Sequence, residues 1–147
     1  MKKIAQLAAV LTVLGVSHGV AEQEFVAEDQ TPTGKFLTAT EVRPILGATK
    51  GNWIAVREYN GQDLLYFTHL LAWRCGLHQI RFAVNGAEHE VFPMAPCNPD
   101  TPNAIPNDAT IYLQYPLTSI ETIEVEVLYD DMQTQTETFA RKNVMTP

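Results

Sequence analysis

From Asn52 onward apolar and polar positions alternate with a period of two, and an Asn-Gly pair interrupts the alternation twice, at Asn60-Gly61 and Asn85-Gly86. A two-residue Asn-Gly step between alternating runs is the signature of a tight β-hairpin. In the first, pairing Tyr59 with Gln62 sets Val56 against Leu65 and Ile54 against Phe67 on one side, which the pattern assigns to the core. The other side then carries Trp53, Arg57, Tyr59, Leu64 and Tyr66, an aromatic and amphipathic face. In the second, a regular register points Val84, Phe82 and Ile80 inward opposite Ala87, His89 and Val91, with Arg81 facing Glu90 outside. That register places Cys75 opposite Pro96, one residue short of Cys97. A Cys75–Cys97 disulfide therefore needs one bulge, which Gly76, Pro93 and Pro96 can supply at the open end.

Before the hairpins the spacing is helical. Thr38 and Glu41 have the capping-box interval, and Val42, Ile45 and Leu46 form one apolar stripe, predicting about two turns from near Thr40 to Thr49. With Thr40 as the N-cap, Pro44 falls in the first turn, where its missing N–H does least harm. Leu70 to Trp73 is apolar at every position and reads either as a doubly buried strand or as a helical turn, since a run this short has no readable period. Farther on, Ile111–Tyr115, Thr122–Tyr129 and Thr134–Phe139 read as strands, the last a polar edge strand. The predicted fold is mainly β: antiparallel and sandwich-like, with about seven strands, one short N-terminal helix and one disulfide. The alternative is an α+β arrangement with the helix on a single antiparallel sheet.

The N-terminal pattern changes the compartment. Met1-Lys2-Lys3 is basic, Ile4–Val16 is apolar and free of acids, and Gly19-Val20-Ala21 offers the small residues a signal peptidase reads. Residues 1–21 are read as a signal peptide, 22–37 as a flexible acidic linker containing Pro32, and 38–147 as one β-rich domain. The apolar run falls short of the roughly 20 residues a membrane span needs. Two cysteines behind an export signal predict a disulfide in an oxidising space, periplasmic or secreted, with no membrane insertion after cleavage.

Charge narrows the partners. The chain has 17 Asp plus Glu against 10 Lys plus Arg, a net charge of −7, and the acids are dispersed. This balance argues against nucleic acid and anionic lipid. It leaves an envelope or extracellular protein, or a small ligand, as the expected partner.

Catalytic patterns are sparse. Beyond the signal, Ser119 is the only serine and sits in Leu117-Thr118-Ser119-Ile120, which is no nucleophile elbow. No His-Glu-x-x-His, Cys-x-x-Cys or phosphate-binding glycine loop occurs, so neither metal nor cofactor is expected. His69 and His89 are single histidines beside apolar neighbours, and the carboxylate pairs Glu58/Asp63 and Glu88/Glu90 have no evident cleft.

Two surfaces remain as binding candidates. One is the aromatic hairpin face with Trp53, Arg57, Tyr59 and Tyr66, whose residue types suit contact anchors if exposed and would form a second core layer if the helix stripe of Val42, Ile45 and Leu46 packs over them. The other is the segment 93–108, which holds five of the nine prolines together with Asn98 and Asp100. The expected function is a non-catalytic exported binding or accessory module acting through one of these. The alternative is a small periplasmic hydrolase-like enzyme using a histidine and a carboxylate.

Overall fold

A computed structural model describes residues 23–147; the expected signal peptide at 1–21 lies outside them. Thr38 is the N-cap of α1 (Ala39–Ala48), and its hydroxyl and the Glu41 carboxylate complete a capping box. The helix thus starts earlier than the sequence suggests, because Thr38 is the threonine with a glutamate three residues on. Pro44 consequently lies beyond the first turn, where it withholds the hydrogen bond that the Thr40 carbonyl would receive. Val42 and Leu46 are fully buried. Gly76 makes this packing possible, since a Cβ there would sit 2.8 Å from the Thr38 carbonyl oxygen and overlap the Val42 side chain.

Seven strands form two antiparallel sheets. The smaller comprises β1 (Ala55–Tyr59), β2 (Gln62–Tyr66) and β5 (Tyr112–Pro116), in the order β1-β2-β5. The larger has the order β4-β3-β6-β7, with β3 at Leu77–Val84, β4 at Glu90–Val91, β6 at Thr122–Tyr129 and β7 at Thr134–Ala140. The two inner faces share one core. Val56 and Leu65 come from the small sheet and Ile80, Phe82, Val125 and Val127 from the large one, with Phe67 packed on Phe92 and Phe82. Besides α1, two short helices occur among the described residues, α2 (Thr68–Ala72), which decides the open reading of Leu70–Trp73 for a helical turn, and α3 (Arg141–Val144), which the sequence pattern does not predict. Leu70 and Leu71 therefore belong to a helical turn and are buried there.

The first hairpin has the expected register, with Tyr59 opposite Gln62 and Val56 opposite Leu65. Asn60 and Gly61 both have positive φ (51° and 76°), as a type I′ turn requires. Its strands are shorter than the alternation implies: a 3₁₀ turn over Lys50–Asn52 precedes Trp53, whose own backbone is helical. Trp53 is thereby carried off the outer face and into the core, where its indole N–H donates to the Leu46 carbonyl at 2.9 Å.

The second hairpin differs by one residue. Its turn closes as expected, the Ala87 N–H donating to Val84 O, but the strands then pair Phe82 with Glu90 and Arg81 with Val91. The extra residue lies in Ala87–His89, directly after the turn rather than at the open end. Val91 is exposed, Phe92 takes the inward place opposite Ile80, and Arg81 finds its carboxylate on β6, in Glu126. The same offset brings Cys75 against Cys97, and the disulfide is formed.

Residues 23–37 have no helix or strand, as a linker composition suggests, yet they are held along the domain. Phe25 stacks on His78, whose Nε2 donates to Val26 O at 2.7 Å. Glu28 N–H donates to Asp130 O, and the Gln30 amide donates to the Asp130 carboxylate. Composition does not foretell these contacts, because each depends on a partner about 50 or 100 residues away.

Candidate functional site

Strand alternation decides which side chains share the outer face of the small sheet. In register, Ala55, Tyr66 and Tyr112 form one row, Arg57, Leu64 and Gln114 a second, and Tyr59, Gln62 and Pro116 a third. Tyr66 and Tyr112 lie ring against ring, with centroids 5.1 Å apart. Tyr59 is 57% exposed, and the Arg57 guanidinium lies over its ring at 4.7 Å. No aspartate or glutamate stands on this face, although the chain has 17. The outer face of the large sheet is of opposite character, carrying the ion pairs Arg81–Glu126 and His89–Glu124.

Beside the tyrosine face, between β1, α2 and the chain end, is an open groove of about 620 Å³. Arg57, Tyr66, His69, Asn52 and Thr68 line it, together with Thr146 and Pro147. Trp53 also borders it but is fully covered, so it supports the groove from behind rather than presenting its ring. Four of the predicted binding residues thus divide: Arg57 and Tyr66 join in the groove, Tyr59 continues the same face, and Trp53 is core.

His69 is the residue whose chemistry stands out here. The Thr49 hydroxyl has one proton, and it donates to Ile45 O at 2.7 Å. At 2.8 Å from the same hydroxyl, His69 Nε2 must then be the donor of that pair. Burial pushes the imidazole pKa down, which keeps the ring neutral, so Nδ1 carries the lone pair. Nδ1 has no hydrogen-bond partner among the described residues and is not among the sealed polar atoms. His69, which lines the groove, therefore has an unpartnered acceptor at Nδ1, and Arg57 is a planar donor with no hydrogen bond or carboxylate among the described residues. The arginines 43, 81 and 141 are all ion-paired, and Arg74 donates to three carbonyl groups.

The second predicted surface is built differently. In segment 93–108, Asn98 Oδ1 accepts from the Asp100 N–H at 3.0 Å, an Asx turn that occupies the amide oxygen locally. Arg74, buried beneath, donates from Nε to Ala95 O and Pro96 O, and Asn103 donates to Ala72 O at 2.7 Å. These bonds and the disulfide fasten the loop to the body. Neither Asn98 nor Asp100 reaches the groove.

His89 is on the outer face rather than inward, displaced by the shifted register, and its Nε2 is 2.5 Å from Glu124 Oε1. A smaller cavity of about 520 Å³ adjoins it, lined by Phe25, Gln79 and Arg81. The alternation conceals this pair, since Glu124 is 35 residues away on β6. Among the described residues no group of three or more histidine, cysteine or acidic side chains is placed to hold a metal ion. No helix of the described residues is long and apolar enough to cross a membrane. No family model, curated protein or solved structure matches the chain.

Proposed function

We propose that the chain is an exported, non-catalytic binding module that engages its ligand through the outer face of the small sheet and the groove beside it. The observation that carries this reading is the acid-free surface bearing Arg57, Tyr59 and Tyr66, in a molecule whose charge is otherwise acidic. Surfaces left only to be solvated collect charges; this one collects aromatic rings, amides and one unpaired guanidinium, the composition of contact surfaces. Export is supported by the basic and apolar N-terminal sequence and by the closed disulfide. The proline-rich loop is the weaker of the two candidate surfaces, because the carbonyls of Ala95 and Pro96 and the Asn103 amide are spent on the domain itself and Asn98 on its own turn.

A second reading, a hydrolase-like activity, is favoured by the His89–Glu124 contact, which has the geometry of a carboxylate-oriented base. Against it, His89 Nε2 is occupied by Glu124 and no hydroxyl is hydrogen-bonded to the ring among the described residues.

A fragment screen read by ¹H–¹⁵N chemical-shift perturbation separates the two. Binding through the groove predicts that hits of any chemistry cluster on Arg57, Tyr66, His69 and Thr146. Hits confined to His89, Gln79 and Phe25 would favour the second reading, and hits scattered without preference would sink the first.

A further inference from the structure

Resting on the binding reading above, we propose that the groove takes a carboxylate-bearing sugar, the uronic-acid unit of an acidic oligosaccharide, whose neighbouring units run over the tyrosine face. Four features converge on that chemistry. Arg57 lines the groove with its guanidinium over the Tyr59 ring at 4.7 Å and makes no hydrogen bond among the described residues, so its N–H fork is unspent, the donor that grips a carboxylate with two parallel bonds. No Asp or Glu side chain stands on the face or lines the groove. His69 Nδ1 supplies an acceptor and Asn52 and Thr68 supply neutral polar groups, a set that matches hydroxyls rather than a second charge. Tyr59, Tyr66 and Tyr112 stand on the same outer face, with Tyr59 and Tyr112 exposed, and supply aromatic surface against which the C–H faces of sugar rings can pack.

The competing occupants fit less well. An extended peptide adding to the sheet beside the groove needs the edge of β1, and at Val56 that edge is taken: Met145 pairs with Val56, and Thr146 N–H donates to Val56 O at 2.9 Å. Nucleic acid needs several cations, whereas this face has one. The volume, about 620 Å³, is within the ordinary range for a small-ligand site, roughly 300–1,000 Å³.

Isothermal titration of the full mature chain with tetragalacturonate and with neutral cellotetraose tests this. Tetragalacturonate should bind saturably and at least about tenfold more tightly than cellotetraose. Arg57→Gln should remove at least about tenfold of that affinity while leaving the thermal transition in place, since Arg57 makes no hydrogen bond among the described residues; Tyr59→Ala should weaken binding severalfold. Absence of tetragalacturonate binding, equal binding of cellotetraose, or affinity unchanged in Arg57→Gln would each overturn the acidic-sugar assignment. If tetragalacturonate fails while fragments still shift Arg57 and His69, the sugar class is wrong and the binding site stands; if both fail, the site itself is wrong.

Discussion

Two buried aspartates with opposite titration behaviour show how individual residues set the pH range of this fold. Asp63, fully buried on β2, accepts from Arg141 and from the N–H groups of Thr118 and Ile120. The Arg141 hydrogen bond, against the cost of burial, holds its pKa down at about 2. The same bonds support Thr118, a β-branched residue at φ 62°, in a conformation it would not otherwise keep. Asp130 is also buried but has only the Ala39 N–H and the Gln30 amide, so burial dominates and its pKa is raised. The signs follow. Asp63 has a native pKa below its unfolded one, so its stabilisation is complete above about pH 4 and is lost as pH falls through 2. Asp130 has a native pKa above its unfolded one, so its contribution is best below about pH 4 and declines as pH rises through the native value. Asp63→Asn, which leaves Arg141 without its buried partner, should therefore cost about 3 kcal/mol at pH 7. Asp130→Asn keeps an oxygen for the Ala39 N–H and removes the buried charge, so its melting temperature at pH 7 should equal or exceed the wild type's. Thermal unfolding of both variants at pH 7 checks the pair, and a wild-type melting temperature for Asp63→Asn would refute the account of Asp63.

At the level of elements, the position of one extra residue governs the second hairpin. Because the surplus lies at Ala87–His89, Phe92 already faces Ile80 and Cys97 already meets Cys75 with the same offset. Deleting Glu88 should thus regularise the hairpin and leave the disulfide intact, whereas deleting Ala95 should pull Cys97 out of reach and leave two titratable thiols. Intact mass with thiol titration reads both. Free thiols in the Glu88 deletion would place the irregularity elsewhere. Losing the cross-link should lower stability by roughly 3 kcal/mol in the loop-entropy view. This hairpin also marks the limit of what alternation reveals. Period-two pattern and Asn-Gly turns locate all seven strands and the first register, because those signals are local. A bulge has no signature in alternating residues, and neither does the 3₁₀ turn that sends Trp53 inward. The candidate site was half legible for the same reason. Arg57, Tyr59 and Tyr66 are neighbours on one hairpin, whereas His69, Tyr112 and Thr146 join them only through helix α2, strand β5 and the chain end.

For the molecule as a whole, a two-sheet sandwich leaves four edges that could recruit other chains, and each is treated differently. β4 is only two residues long, β5 ends in Pro116, and β7 carries threonines and Glu137, which is paired with Lys50. In its own sequence β1 has no device beyond the charges of Arg57 and Glu58. It is covered instead by Met145 and Thr146, which supply a parallel bridge to Val56 and a hydrogen bond to its carbonyl. The same residues form one side of the groove, so edge protection and the proposed binding site depend on one short segment. Removing Met145–Pro147 should leave the core whole, since Val144 supplies the last buried side chain. It would also expose the Val56 carbonyl on a strand beside an aromatic face, the condition for edge-to-edge pairing. The truncated chain should therefore self-associate at concentrations where the full chain does not, and sedimentation velocity over a concentration series measures the difference. Equal sedimentation of the two chains would mean that β1 is protected by Arg57 and Glu58 alone. In that case an extended peptide would regain its standing as an occupant of this edge.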